Sequence, residues 1–275
     1  MAPWPAVAAL DALARWPVGT AAAGVVDPGG VRATAGPLDE PLAWASVTKL
    51  LTALATLVAV EEETVGLDDP AGPPGATVRH LLAHAAGLGP DGAVLAAPGT
   101  RRIYSNAGYE VLADVVAGAT GVPFATYLAE AVLHPLELAG TRLEGSPAAG
   151  AVGPVGDLLR LGGELLVPAL VAPASLTEAT TVAFPGLVGV LPGFGRQDPN
   201  DWGLGPELRR HKSPHWTGSR NSPRTFGHFG QAGGFLWVDP DAGLACGCLT
   251  DRPFGPWAAE AWPRLSDEVL AEAGR

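Results

Sequence analysis

Strand signals stand at the two ends of this sequence and helical patterns fill its middle, an order that restricts the fold more than any other feature. Near the N-terminus, "AAAGVVDPGGVRATAG" holds two β-rich runs joined by a D-P-G-G turn. Near the C-terminus, "GGFLWVDPDAGLACGCLTD" repeats the device around D-P-D-A-G. Between them a helix is predicted from Ser46 to about Glu63, then a short one in "TVRHLLAHAAGL". Two more helical patterns fill residues 106–138, split at Gly121–Pro123, and "VGDLLRLGGELL" is amphipathic. Residues 3–16 and 256–273 read as an opening and a closing helix. Residues 184–225, rich in Gly, Pro and Trp without periodicity, read as long loops with little regular structure. The economical architecture is α/β (α+β): an antiparallel sheet built from both termini, flanked by helices, with a mainly helical insertion. One domain is expected over 1–275, with an α/β lobe at about 1–70 and 215–275 and a helical lobe at about 71–214.

Composition excludes several classes. A net charge of −11 on 275 residues, with the acids scattered, disfavours nucleic acid or an anionic membrane as partner. The N-terminus has no basic n-region and is interrupted by Asp11 and Arg15, so it does not read as a signal peptide. The longest apolar run, Leu50 to Val60, is too short to span a bilayer. A cytoplasmic protein with no membrane insertion is the expectation. Cys246 and Cys248 read as small core residues and give no disulfide framework.

The chemistry concentrates at "ASVTKLL". The chain has only two lysines, and one of them, Lys49, stands three residues after Ser46. A serine hydroxyl is a weak nucleophile until a base takes its proton. On a helix, positions i and i+3 share a face, which brings the amine within reach of the hydroxyl. The positive helix N-terminus favours a neutral amine, and its free N–H groups suit a developing oxyanion. Arginine could not serve, because it does not deprotonate. Alone, S-x-x-K is weak, since a serine N-cap followed by a surface lysine is ordinary.

Two further motifs accompany it in order: Tyr104-Ser105-Asn106, and His228-Phe229-Gly230 just ahead of a predicted strand. With Ser46-Val-Thr-Lys49 they resemble the three motifs of the serine β-lactamase and penicillin-binding-protein superfamily, in particular its class C β-lactamase-like group with carboxylesterases and D-stereospecific peptidases. The connecting segments fit that pattern over residues 20–255. The resemblance implies the β-lactamase-like fold. It makes Ser46 the acylated nucleophile, Lys49 its base or proton relay, and Tyr104 the phenol that protonates the leaving group and later activates water. It places Asn106 on Lys49 and substrate, and forms an oxyanion hole from the backbone N–H groups of Ser46 and Gln231. Gly230 would let the acyl group approach the strand. His228 stands where much of the superfamily has lysine, and Phe229 where a small hydroxylated residue is usual.

These departures favour a small-molecule ester or amide over a penicillin. The expected activity is a serine hydrolase, an esterase or small-amide hydrolase, using no cofactor and no metal. A β-lactamase or D,D-peptidase-type enzyme and a non-catalytic ligand-binding relative are the alternatives. His80 and His84 have the i, i+4 spacing of zinc ligands but lack a following Glu and a third ligand. Trp202, Trp216, Arg220 and Arg224 are candidates for the wall of a cleft. The side chains of Ser105 and Gln231 are read as bystanders.

Overall fold

The structure, a computed structural model, describes residues 8–274. The predicted opening helix is a 3-10 helix over Ala8–Arg15; residues 3–7 of that expectation lie outside the described residues.

The two terminal hairpins meet in one antiparallel sheet. Strands β1 (Ala21–Asp27) and β2 (Gly30–Ala35) form the first hairpin; β3 (Leu42–Ala43), β4 (Arg142–Leu143) and β5 (Ala151–Gly153) form a small separate sheet. β6 (Gly189–Leu191) pairs β7 (Gly195–Gln197), and β8 (Glu207–Leu208), β9 (Phe226–Gly230), β10 (Gly234–Asp239) and β11 (Leu244–Thr250) complete the chain's strands. The main sheet runs β2-β1-β11-β10-β9-β8, so chain ends distant in sequence are neighbours across β1 and β11. The helices are α1 (Thr48–Glu61), α2 (Val78–Leu82), α3 (Asn106–Thr120), α4 (Phe124–Leu128), α5 (Val155–Leu166), α6 (Pro173–Ala179) and α7 (Pro256–Glu272). No single helix among the described residues is long and apolar enough to cross a membrane.

Alternation along the strands sorts two cores. Ala22, Val26, Leu236, Val238, Ala245 and Leu249 join the core built on α1, α3 and α5. Ala23, Val25, Phe235, Trp237, Cys246 and Cys248 join the core under α7. The C-G-C pair is therefore two free, buried thiols on one sheet face. α5 sits close on the sheet: a Cβ at Gly24 would lie 2.4 Å from Leu159 Cδ1.

α1 is buried around nearly its whole circumference, as a helix through the centre of a domain must be. It is tied to residues 147–151 by Thr52 Oγ1, which donates to Pro147 O at 2.6 Å, and Thr48 Oγ1, which accepts from Ala151 N at 2.9 Å. α3 begins where Ser105 Oγ accepts from Gly108 N and ends at Gly121, whose φ of +70° is a left-handed C-cap ahead of Pro123.

One expectation is corrected and another extended. Residues 184–225 are not only loops: they contribute the β6–β7 hairpin and β8, the edge strand beside β9. His228-Phe229-Gly230 does precede the predicted strand, β10, but is itself part of a further strand, β9. A strand there is hard to read from the sequence, since F-G-H-F-G carries two glycines, which are depleted in strands.

Gly230 decides how β9 meets the start of α1. A Cβ there would fall 2.3 Å from Trp44 O and 3.1 Å from Ala45 Cβ. The glycine thus admits the turn that carries Ser46. The Gly230→Ala variant must push that turn away. It is expected to lose at least tenfold in ester turnover and about 2 kcal/mol of stability, a Tm drop of roughly 4–8 °C by thermal denaturation; wild-type rates and Tm would refute this role.

Candidate active site

The turn entering α1 is strained. Ala45 has φ +44°, a left-handed value uncommon outside glycine, and Ser46 follows on a 3-10 turn spanning Ala45–Val47. Trp44 pins the turn: its backbone N–H donates to Ala151 O and its indole Nε1 to Gly153 O. Ser46 is not an N-cap, because the helical hydrogen bonds begin later, at Thr48.

One turn on, Lys49 is fully buried. Its Nζ lies 2.7 Å from Asn106 Oδ1, 2.9 Å from Ala148 O and 3.5 Å from Ser46 Oγ. Burial lowers its pKa to about 7, and the charge of Glu110 offsets only part of this. Desolvation, more than the helix terminus invoked from sequence, makes the amine neutral. A neutral amine has two N–H bonds and one lone pair. Asn106 and Ala148 take the two donors, which leaves the lone pair for the Ser46 hydroxyl.

The Tyr104 ring lies with its centroid 4.7 Å from Lys49 Nζ. Its hydroxyl is buried and faces the Ser46 hydroxyl without a well-formed hydrogen bond. Burial raises the phenol far above its ordinary pKa, and Ser46 pulls it back only in part. Tyr104 is therefore a neutral phenol at neutral pH.

His84, considered from sequence only as a weak metal ligand, is what holds Tyr104. Its carbonyl accepts from Ile103 N at 2.9 Å and its Nδ1 accepts from Ser105 N at 3.2 Å, so both neighbours of Tyr104 hang on one residue. Its ring packs on the tyrosine ring at 4.5 Å, and its φ is +53°. Burial and the nearby charge of Lys49 hold it neutral, and an accepting Nδ1 puts the proton on Nε2. Arg102 fastens the same segment from below through Ala83 O, Ala183 O and Asn200 O. His80 turns elsewhere, to Thr77 Oγ1 and the Phe184 ring. Among the described residues no group of three His, Cys, Asp or Glu is placed to hold a metal.

A small cavity of about 40 Å³ joins the motifs; Ser46, Tyr104, Trp202, Glu207, His228 and Gln231 line it, with Leu191, Pro192 and Phe229. His228 Nδ1 lies 2.7 Å from its acceptor, Phe229 O, which fixes the proton there and leaves Nε2 as a lone-pair acceptor with no partner among the described residues. Burial first, and Lys49 second, lower its pKa to about 3. The Phe229 ring packs on Phe254, Phe194 and Trp262 in the core under α7.

Of the four wall candidates only Trp202 reaches this cavity. Trp216 is buried and donates to Glu207 Oε2; Arg224 pairs with exposed Asp241; the Arg220 backbone N–H binds Asp267. Ser105 caps α3 and donates to Gly89 O, so its side chain has a structural task. Sequence reasoning missed Glu207. Burial would raise its carboxyl pKa, but His215 and Lys212 outweigh that and hold it ionised. The E-x4-K-x2-H spacing was the available signal.

Known proteins share this fold. A family profile described as Beta-lactamase matches residues 4–271. The chain belongs to the β-lactamase family. A crystal structure of a β-lactamase from Mycobacterium bovis is 57% identical, with 96% of this chain and 99% of that one covered and a TM-score of 0.95. Simvastatin synthase from Aspergillus terreus shares the fold at 16% identity and a TM-score of 0.81, covering 97% of this chain and 94% of that one. The D-alanyl-D-alanine-carboxypeptidase/endopeptidase AmpH of Escherichia coli K12 is 30% identical over 148 residues, 40% of this chain and 38% of that relative's length. Members of this β-lactamase family are serine hydrolases that act on small molecules.

If His84 positions Tyr104, the His84→Asn variant, whose amide oxygen can replace Nδ1 and which tolerates positive φ, keeps most of kcat. His84→Leu, with no acceptor, is expected to lose about 10²-fold in kcat with KM little changed. Equal losses in both variants, measured on one ester, would argue for packing alone.

Proposed function

We propose that this chain is an esterase that works through an acyl-enzyme on Ser46. The observation that carries the reading is the neutrality of the site. His228 is uncharged at neutral pH and offers only an acceptor, and Phe229 offers no hydroxyl, so neither side chain suits the carboxylate of a penicillin or a peptide. An ester with no charge beside its reacting carbonyl needs no such partner.

In this reading the Lys49 lone pair takes the Ser46 proton as Oγ attacks the ester carbon. The backbone N–H groups of Ser46 and Gln231 hold the oxyanion. The tetrahedral intermediate collapses as the Tyr104 phenol gives its proton to the departing alkoxide, and the Lys49 ammonium restores the phenol. Deacylation reverses the relay. Water, held by the free Nε2 lone pair of His228, attacks the acyl carbon while Lys49 accepts its proton, and Ser46 leaves reprotonated. The net reaction is ester plus water to acid plus alcohol. Asn106 keeps the amine aimed throughout.

The 57%-identical relative named a β-lactamase supports a second reading, β-lactam hydrolysis at the same serine. One set of assays separates them. Wild type is expected to hydrolyse p-nitrophenyl acetate and to be labelled by a fluorophosphonate, with nitrocefin turned over at least about 10²-fold less efficiently. Ser46→Ala should lose both label and turnover. Efficient nitrocefin turnover would favour the second reading, and an unlabelled wild type would defeat both. Because the base must be unprotonated, kcat/KM for p-nitrophenyl acetate should rise with pH to a plateau through an apparent pKa near 7. A flat profile from pH 5 to 9 would exclude Lys49 as the base.

A further inference from the structure

Beside the small cavity lies a second, larger groove of about 490 Å³, which shares Tyr104 and Pro192 with it. Ser46 borders only the small cavity. The groove runs between the loop carrying Leu95 and the β6–β7 hairpin carrying Val190 and Arg196. Leu95 and Val190 are 57% and 59% exposed, and Val94 beside them is 63% exposed. Two of the five large apolar side chains most exposed among the described residues thus line one groove, and a third, Val94, adjoins it in sequence. Arg101 lies on its lining, exposed and without a carboxylate partner among the described residues. Arg196 pairs only with exposed Asp198, a contact that water leaves weak. Arg102 is different, since its guanidinium is consumed by backbone carbonyls. A cationic, apolar groove on a chain of net charge −11 runs against the average field of the molecule.

Resting on the esterase reading above, we propose that the substrate is divided between the two spaces: a short acyl group enters the small cavity, and the leaving alcohol, apolar and bearing a carboxylate, lies in the groove against Arg101 and Arg196. The acyl group stays bonded to Ser46, so it occupies the space that Ser46 borders. About 40 Å³ is room for roughly three water-sized positions, which suits an acetyl or propionyl group and not a fatty acyl chain. The alcohol must take a proton at Tyr104 and then depart, and the groove is the larger space on that ring. Its volume is that of an ordinary small-molecule site. Guanidinium groups favour a planar carboxylate through paired N–H donors.

Three measurements test this. The first uses 3-(4-acetoxyphenyl)propanoate and its methyl ester, which share the leaving phenol and differ in distant charge. Wild type should show kcat/KM about tenfold higher for the carboxylate, and the Arg101→Gln/Arg196→Gln variant should lose that preference while keeping its rate on the methyl ester. The second compares p-nitrophenyl acetate with p-nitrophenyl octanoate; the octanoate should be slower by at least about tenfold. The third titrates 3-(4-hydroxyphenyl)propanoate into Ser46→Ala protein by calorimetry, with and without the two arginine changes, and needs no turnover. Ester turnover without preference for the carboxylate, or with preference surviving in the double variant, overturns the groove assignment and leaves the esterase intact. Octanoate turned over as fast as acetate overturns the acyl-cavity assignment. Arginine-dependent binding of the phenol acid, with no ester hydrolysed, overturns the esterase reading and with it the leaving-group role, while showing that the groove takes the anion.

Discussion

The site depends on one buried amine. Lys49 sits inside α1, out of water, with Asn106 and Ala148 as fixed acceptors and Ser46 as its third neighbour. Removing a lysine from water disfavours its charged form, and here that cost is the source of its basicity near neutral pH. The folded state carries the penalty. An unfolded chain holds the same proton up to a pKa of 10.5, so folding is opposed below that value and stability gains as pH rises from about 7 toward it. The two buried cores and the six-stranded sheet supply the stability against which this is set.

A buried base works only if its partners come to it, and each comes from a different part of the chain. β9 reaches the Ser46 turn because Gly230 has no side chain there. Tyr104 arrives on a segment whose amides His84 holds on both sides. The three groups differ in electrostatic character: a poised amine, a phenol kept protonated and an imidazole kept neutral. Burial is the leading cause of all three shifts, so one dry pocket prepares a base, an acid and an acceptor together.

Much of this was legible in the sequence, because it was written in local signals. The two hairpins announce themselves by turn residues, α3 by its apolar periodicity and the Gly121–Pro123 break at its end, and the Ser46–Lys49 spacing by helical geometry. What escaped was set by tertiary contact. F-G-H-F-G has weak strand character, yet it is buried between β8 and β10. The grip of His84 on Tyr104 involves a positive φ and backbone partners some twenty residues away, which no residue pattern displays. Glu207, with Lys212 and His215 against it, lies in a stretch without periodicity. The burial that lowers the Lys49 pKa likewise comes from tertiary packing, which the local argument from the helix N-terminus does not contain.

The most direct check is to watch Lys49 titrate. With only two lysines in the chain, protein labelled with ¹³C at lysine Cε gives two side-chain signals, and Lys49→Met identifies one of them by its loss. That signal should move with a midpoint near pH 7 in the folded protein. If it keeps the shift of an ammonium group to pH 10, Lys49 is no base, and the hydroxyl of Ser46 has nothing there to take its proton.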